Sequence, residues 1–177
     1  MSDLDKYRAA RDLLLKHRSD YAAARREFRW PDLPEFNWAL DHFDDMARAN
    51  QSTALRIVDE DGSEEVRSFE ALRLASDRAA NYLRELGVQR GDRLLVMLPN
   101  RVELWEIMLA AIKLGAVLSP ATMLLSEADL KDRIERGQMR AVIVDDTCRE
   151  RFEGLAGKQP PSRRWCCIRS EAIRWDI

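Results

Sequence analysis

The sequence predicts an α/β fold: a layered, mostly parallel sheet with flanking helices, preceded by a helical segment and a β-hairpin. Three observations carry this expectation. Leu94–Leu98 is an unbroken apolar run of strand length, as a strand covered on both faces requires. From about residue 90 the chain alternates apolar runs with amphipathic stretches of helix length, and crossovers of that kind join parallel strands. Ser126, with Asp129 three residues on, and glycines 87, 115 and 137 mark where helices start and stop. The 177 residues suit one domain or part of a larger one. Residues 1–50 read as an N-terminal helical segment and strap, and 51–177 as the α/β portion.

Each element has a local cause. Ser2 and Asp5 form a capping pattern for a helix from Asp3 to about His17, and a short helix follows over Tyr21–Glu27. Pro31 and Pro34 break any helix in "RWPDLPEFNW", which reads as an aromatic-rich strap. Asn37 can cap a third helix, from Trp38 to about Asn50. Leu55, Ile57 and residues 67–69 flank the turn "DEDG", so a hairpin is expected. Ser68 caps a helix that runs to about Leu86, with Leu72, Ala75, Ala79 and Leu83 on its apolar face and Gly87 at its end.

Gly91 and Asp92 then turn the chain into the Leu94–Leu98 strand. Asn100, with Glu103 in the capping-box position, is expected to start the next helix. Gly115 closes it, and Ala116–Leu118 begin a second strand, which completes a βαβ unit. The pattern repeats. A helix capped by Ser126 buries Leu130 and Ile134 and stops at Gly137. A strand covers Ala141–Val144, a short helix Arg149–Leu155, and a last strand Trp165–Ile168.

Composition narrows the function classes. Apolar residues make up 46% of the chain, enough for a sizeable core, and 29 basic residues nearly balance 31 acidic ones for a net charge of −2. That balance gives no general drive toward nucleic acid or an anionic membrane, while leaving room for a local basic patch. No apolar run reaches the roughly 20 residues of a membrane span. Cys148, Cys166 and Cys167 show no zinc spacing and read as reduced thiols of a cytoplasmic protein.

The motifs are informative mainly by what is missing. Neither G-x-x-x-x-G-K-[ST] nor G-x-G-x-x-G occurs, and there is no Ser/Thr/Gly-rich cluster to converge backbone N–H groups on a phosphate. His17 and His42 read as surface or packing residues rather than bases. The acidic "DEDGSEE" reads as a solvated hairpin tip rather than a cation site. Trp30, Phe36 and Trp38 read as strap packing, Trp105 as an interface residue, and Arg163 and Arg164 as loop surface. Arg149 and Arg151 open a helix just past the Ala141–Val144 strand. Crevices there bind ligands in α/β folds, although a solvated helix face also accounts for both.

The ordered series of segments resembles AMP-forming acyl-CoA synthetases of the adenylate-forming superfamily. "FNWALDHFDDMA" is similar to the N-terminal helix of the acetyl- and medium-chain branch. "SFEALRLASDRAANYLRELGVQRGDR" resembles the first core helix and turn, and "RGDRLLVMLPNRVELWEIMLAAIKLGAVLSPA" the following βαβ unit. "MLLSEADLKDRIERGQMRAVIVDD" resembles the next helix and strand. The resemblance is good over residues 36–146 and implies a partial N-terminal domain of the adenylate-forming fold.

It also implies a two-step ligase. ATP, with magnesium, activates a small-molecule carboxylic acid as an acyl-adenylate, and coenzyme A then displaces AMP to give a thioester. The family's phosphate loop, adenine segment, ribose-binding Asp and C-terminal lysine are not found in these residues, so no catalytic or metal-binding residue is carried over. The sequence then reads as an opening part of such an enzyme, inactive alone and binding none of these cofactors tightly. The alternative is a non-catalytic binding or assembly module, or one chain of a split synthetase. The resemblance places Arg149, with Arg151 beside it, at the nucleotide end of coenzyme A. A chain cut short in this way is expected to associate with itself through exposed apolar surface, including a sheet edge.

Overall fold

A computed structural model describes residues 1–152 and the backbone of a strand at 164–168. The chain forms two compact units, Met1–Asp45 and Met46–Ile177.

In the first unit, helix α1 (Asp3–Lys16) starts at Ser2 with the expected capping box: the Ser2 hydroxyl accepts from Asp5 N–H, and the Asp5 carboxylate accepts from Ser2 N–H. Helix α2 (Tyr21–Glu27) is capped by Asp20, which accepts from Ala23 N–H at 2.9 Å. Asn37 caps the next segment by accepting from the N–H groups of Ala39 and Leu40. That segment is not the single helix expected to Asn50. It winds as a π-helix over Trp38–Phe43 and continues as α3 (Asp44–Ala47). Ala49 takes a φ of 55°, which ends the helix early.

The second unit opens with the antiparallel hairpin β1 (Thr53–Val58) and β2 (Glu64–Ser68). Ser68 caps helix α4 (Phe69–Glu85) by accepting from Ala71 N–H at 3.1 Å. A parallel sheet follows. It is built from β3 (Arg93–Met97), β4 (Val117–Pro120), β5 (Ala141–Asp145) and β6 (Arg164–Ile168), in the order β4-β3-β5-β6. Helix α5 (Val102–Leu114) joins β3 to β4, and α6 (Glu127–Arg136) joins β4 to β5.

Alternation along the strands sorts the core into two layers. Leu94, Val96 and Ile143 face α4 and α5, where Leu83, Ile107 and Ala110 are buried. Leu95, Met97, Val142 and Val144 face the other way, onto Leu130 and Ile134 of α6. The two helices therefore cover opposite faces. That follows from the strand order: the first crossover steps to one side of β3 and the second steps back over it, and crossovers of one hand running in opposite directions must use opposite faces.

Two expectations need correcting. Helix α5 is capped at Arg101 rather than Asn100, and no side chain caps it. Glu103 stands in the capping-box position, but the Arg101 guanidinium engages its carboxylate. The segment after β5 begins as a 3-10 turn, Asp146–Cys148, and of the expected Arg149–Leu155 helix only residues 149–152 are described, Arg149 as a turn residue and 150–152 as helical. Its remainder, and the side chains of Arg163, Arg164, Cys166 and Cys167, lie outside the described residues.

Candidate functional site

In an open parallel sheet, ligands bind beyond the carboxyl ends of strands whose exits run to opposite faces. Here that place flanks β3, because β3 exits toward α5 while β4 exits toward α6. Its walls are the β3–α5 loop (98–101), the β4–α6 loop (121–126) and the turn after β5.

A compact ion network stands in this crevice. Asp145, the last residue of β5, is 4% exposed. One of its oxygens accepts from Thr147 N–H at 3.0 Å and from the Thr147 hydroxyl at 2.6 Å. The other accepts from Arg101 Nη1 at 3.0 Å. Arg101 also grips Glu103 with two donors, Nε to Oε2 at 2.6 Å and Nη2 to Oε1 at 3.0 Å. One guanidinium thus ties the start of α5 to the end of β5, across the two strands that flank the crevice. Burial pushes the Asp145 carboxyl up, but the Thr147 hydrogen bonds and the Arg101 charge outweigh it and hold the group below the usual aspartate range. Glu103 behaves in the same way: burial opposes the charge, and the Arg101 hydrogen bonds carry it below the ordinary glutamate value.

Of the described side chains singled out in the sequence, Glu103, Cys148 and the two arginines after β5 stand near this crevice. Arg151 donates from Nη1 to the carbonyls of Met123 and Leu125, the latter at 3.2 Å, so its head group pins the β4–α6 loop. Arg149 is exposed one position past the 3-10 turn, at the carboxyl side of β5. The other side chains lie elsewhere or serve packing. His42 is buried in the first unit, its ring centroid 4.9 Å from that of Tyr7. Burial first, then the Arg11 and Arg8 charges, lower its pKa. Tyr7 stacks on Phe36 at 4.9 Å, as strap packing requires. Trp105 stands on α5 at 41% exposure. Cys148 is a buried free thiol against Met123.

The donors present do not fit a triphosphate or its magnesium. The Asp145 and Glu103 carboxylates are engaged by Arg101 and Thr147, Asp146 Oδ1 is buried without a hydrogen-bond partner, and among the described residues no three His, Cys, Asp or Glu side chains group to hold a metal ion. Nor is any helix among them long and apolar enough to cross a membrane. Sequence reasoning missed Arg101 and Asp145. The signal for them was positional, an arginine just before one helix and an aspartate closing an apolar strand.

Fold and crevice together define a parallel α/β domain whose strand exits flank one central strand. Comparison with known proteins makes this more specific. Residues 43–175 match the family model described as "AMP-binding enzyme". The mouse protein Acyl-coenzyme A synthetase ACSM3, mitochondrial, is 34% identical over 148 residues, which is 79% of this chain and 25% of that protein. The acetyl-coenzyme A synthetase of Bacillus subtilis is 32% identical over 135 residues, 75% of this chain and 24% of that protein. Among solved structures, an acyl-CoA synthetase of Brucella canis superposes with a TM-score of 0.73 at 22% identity, over 86% of this chain and 29% of that one. The chain belongs to the AMP-binding enzyme family and corresponds to an N-terminal portion of its acyl-CoA synthetase members. It spans about a quarter of the length of the curated relatives it matches.

Proposed function

We propose that these residues build the opening part of the domain in which an AMP-forming acyl-CoA synthetase joins a carboxylic acid to coenzyme A, converting ATP to AMP and pyrophosphate. The observation that supports it most is the family match over residues 43–175, which takes in every described strand of the parallel sheet and the crevice beside β3. In this reading the chain supplies scaffold. Arg101 fixes the spacing of the β3 and β5 ends, Arg151 fixes the neighbouring loop, and Arg149 meets the nucleotide end of coenzyme A. ATP and magnesium are bound by residues beyond these 177, because stabilising phosphoryl charge needs converging donors and no phosphate-loop motif occurs here. The same proposal places the protein in the cytoplasm and has copies of the isolated chain associate through exposed apolar surface.

ATP–pyrophosphate exchange tests it. The 177-residue polypeptide should show none with carboxylic acids from acetate to medium chain. A polypeptide extended along the same reading frame through a phosphate loop should show exchange and make the thioester. In that longer form Arg149→Glu should raise KM for coenzyme A and leave adenylation unchanged. Robust exchange by the 177 residues would sink the scaffold reading, and a longer form that releases ADP would sink the family chemistry. A reading frame that instead stops, with a separate chain supplying the loop, would make this one half of a split synthetase.

A further inference from the structure

Helix α1 buries none of its residues, yet Tyr7, Ala10, Arg11, Leu14 and Leu15 recur on one face at helical spacing. That face forms one wall of an apolar groove of about 560 Å³, and the strap, with Phe28, Trp30 and Phe36, forms the other. Large apolar groups of this unit stand in solvent: of the groove's lining Trp30 is 88% exposed and Leu15 58%, and Tyr21 on α2 is 78% exposed.

Charge is segregated along the same unit. Residues 16–29 carry five basic side chains (Lys16, Arg18, Arg25, Arg26 and Arg29) against two acidic ones, whereas residues 32–45 carry five acidic side chains and no Lys or Arg. The basic residues gather where the exposed apolar groups are. Lys16 adjoins Leu15 and Arg29 adjoins Trp30. The pair His17 Nε2–Glu27 Oε2 at 3.0 Å brings the end of α1 to the end of α2. Arg29 folds back to donate to Arg26 O at 2.8 Å.

We propose that this end of the first unit docks on an anionic lipid surface. Trp30, Leu15 and Tyr21 enter the boundary between head groups and acyl chains, and Lys16, Arg18, Arg25 and Arg26 meet the lipid phosphates. Exposed Trp, Tyr and Leu side chains beside Lys and Arg, here at the end of α1, on α2 and at the start of the strap, suit that interface, the long basic side chains laying their stems along apolar surface while their charges reach the head groups. The segment lies on the membrane and does not span it. A second copy is a poorer occupant. A symmetric contact covering Trp30 in both copies would bring the two basic ends together, like charge against like.

The test uses the purified 177-residue chain and two vesicle preparations, one of phosphatidylcholine alone and one equimolar in phosphatidylglycerol. Partition onto the anionic vesicles should be at least about tenfold greater and should fall as salt shortens the screening length. Brominated lipid should quench tryptophan emission, and Trp30→Ala should remove that quenching. Arg25→Glu with Arg26→Glu should abolish the preference for anionic lipid. Trp30, Arg25 and Arg26 are exposed, so circular dichroism should be unchanged in each variant. Absent binding, equal partition to both vesicles, or binding that neither variant alters would overturn the proposal. So would association of copies in vesicle-free buffer that Trp30→Ala abolishes.

Discussion

Replacing Arg101 by Met removes the cation between Asp145 and Glu103 while keeping most of the stem's volume. Asp145, 4% exposed, would lose its 3.0 Å partner and keep its two hydrogen bonds from Thr147. Breaking a buried ion pair from one side costs about 3–5 kcal/mol. Two features lower that figure here. The Arg101 side chain is 17% exposed, so water reaches the site, and Thr147 still serves one carboxylate oxygen. The expected loss is about 2 kcal/mol at neutral pH, a fall in Tm of about 4–8 °C for a chain of this size. The pH dependence gives a second signature. In the native chain the folded Asp145 pKa lies below its unfolded value, so its stabilisation is present above the ordinary aspartate range and is lost as pH falls through the folded value. In the variant, burial without Arg101 favours the neutral acid. The gap between native and variant should therefore narrow as pH drops through about 4. Thermal melts followed by circular dichroism at neutral and acidic pH measure both quantities, and Asp145→Asn in the Arg101→Met background should recover part of the loss. A variant within about 0.5 kcal/mol of native at neutral pH, or a gap that does not move with pH, would refute the reasoning.

Asp77→Ala strips Lys113, whose side chain is 3% exposed, of its 2.6 Å partner. It should cost about 2 kcal/mol and more than Lys113→Met, because it leaves a charge buried; urea titration ranks the two. Gly115→Ala places a Cβ 3.0 Å from Arg90 at a φ of 67° and should lose about 1 kcal/mol or more in the same assay. His42 is buried and its pKa is lowered, so the unfolded chain takes up a proton that the folded one refuses. Stability should be constant above about pH 6.5 and decline below it, and His42→Phe should flatten that decline in melts across the range.

What the sequence made legible was local. The capping boxes at Ser2 and Ser126 each depend on a residue three positions away, and both formed. Gly87 and Gly115 take positive φ where apolar stripes end. The Asn100 cap failed for a non-local reason. Its spacing to Glu103 is correct, but Arg101 holds Glu103, and Arg101 is itself fixed by Asp145, 44 positions on. The same distance hid the crevice network. Arg149 and Arg151 drew notice because they follow an apolar run; Arg101 did not, because its partner was invisible. The π winding over Trp38–Phe43 has no comparable signal among residues that also suit an α-helix.

The sheet edge shows how backbone direction constrains association. Strand β4 closes one side of the parallel sheet. Val117 N–H donates to Asp92 O and Ala121 N–H to Val96 O, both at 2.8 Å and both toward β3. Alternation then turns Leu118 and Pro120 outward, and proline has no N–H to give. The free edge of β4 offers a single donor, at Leu118, and makes a poor template for another strand. Association of copies should instead use side-chain surface, where Trp105 of α5 and Leu74 of α4 are 41% and 42% exposed. Sedimentation velocity separates the two routes. Trp105→Ser with Leu74→Ser should shift the chain toward monomer, whereas Val117→Lys, which charges the β4 edge, should leave association unchanged. The opposite pattern would mean that strand pairing dominates despite the missing donor.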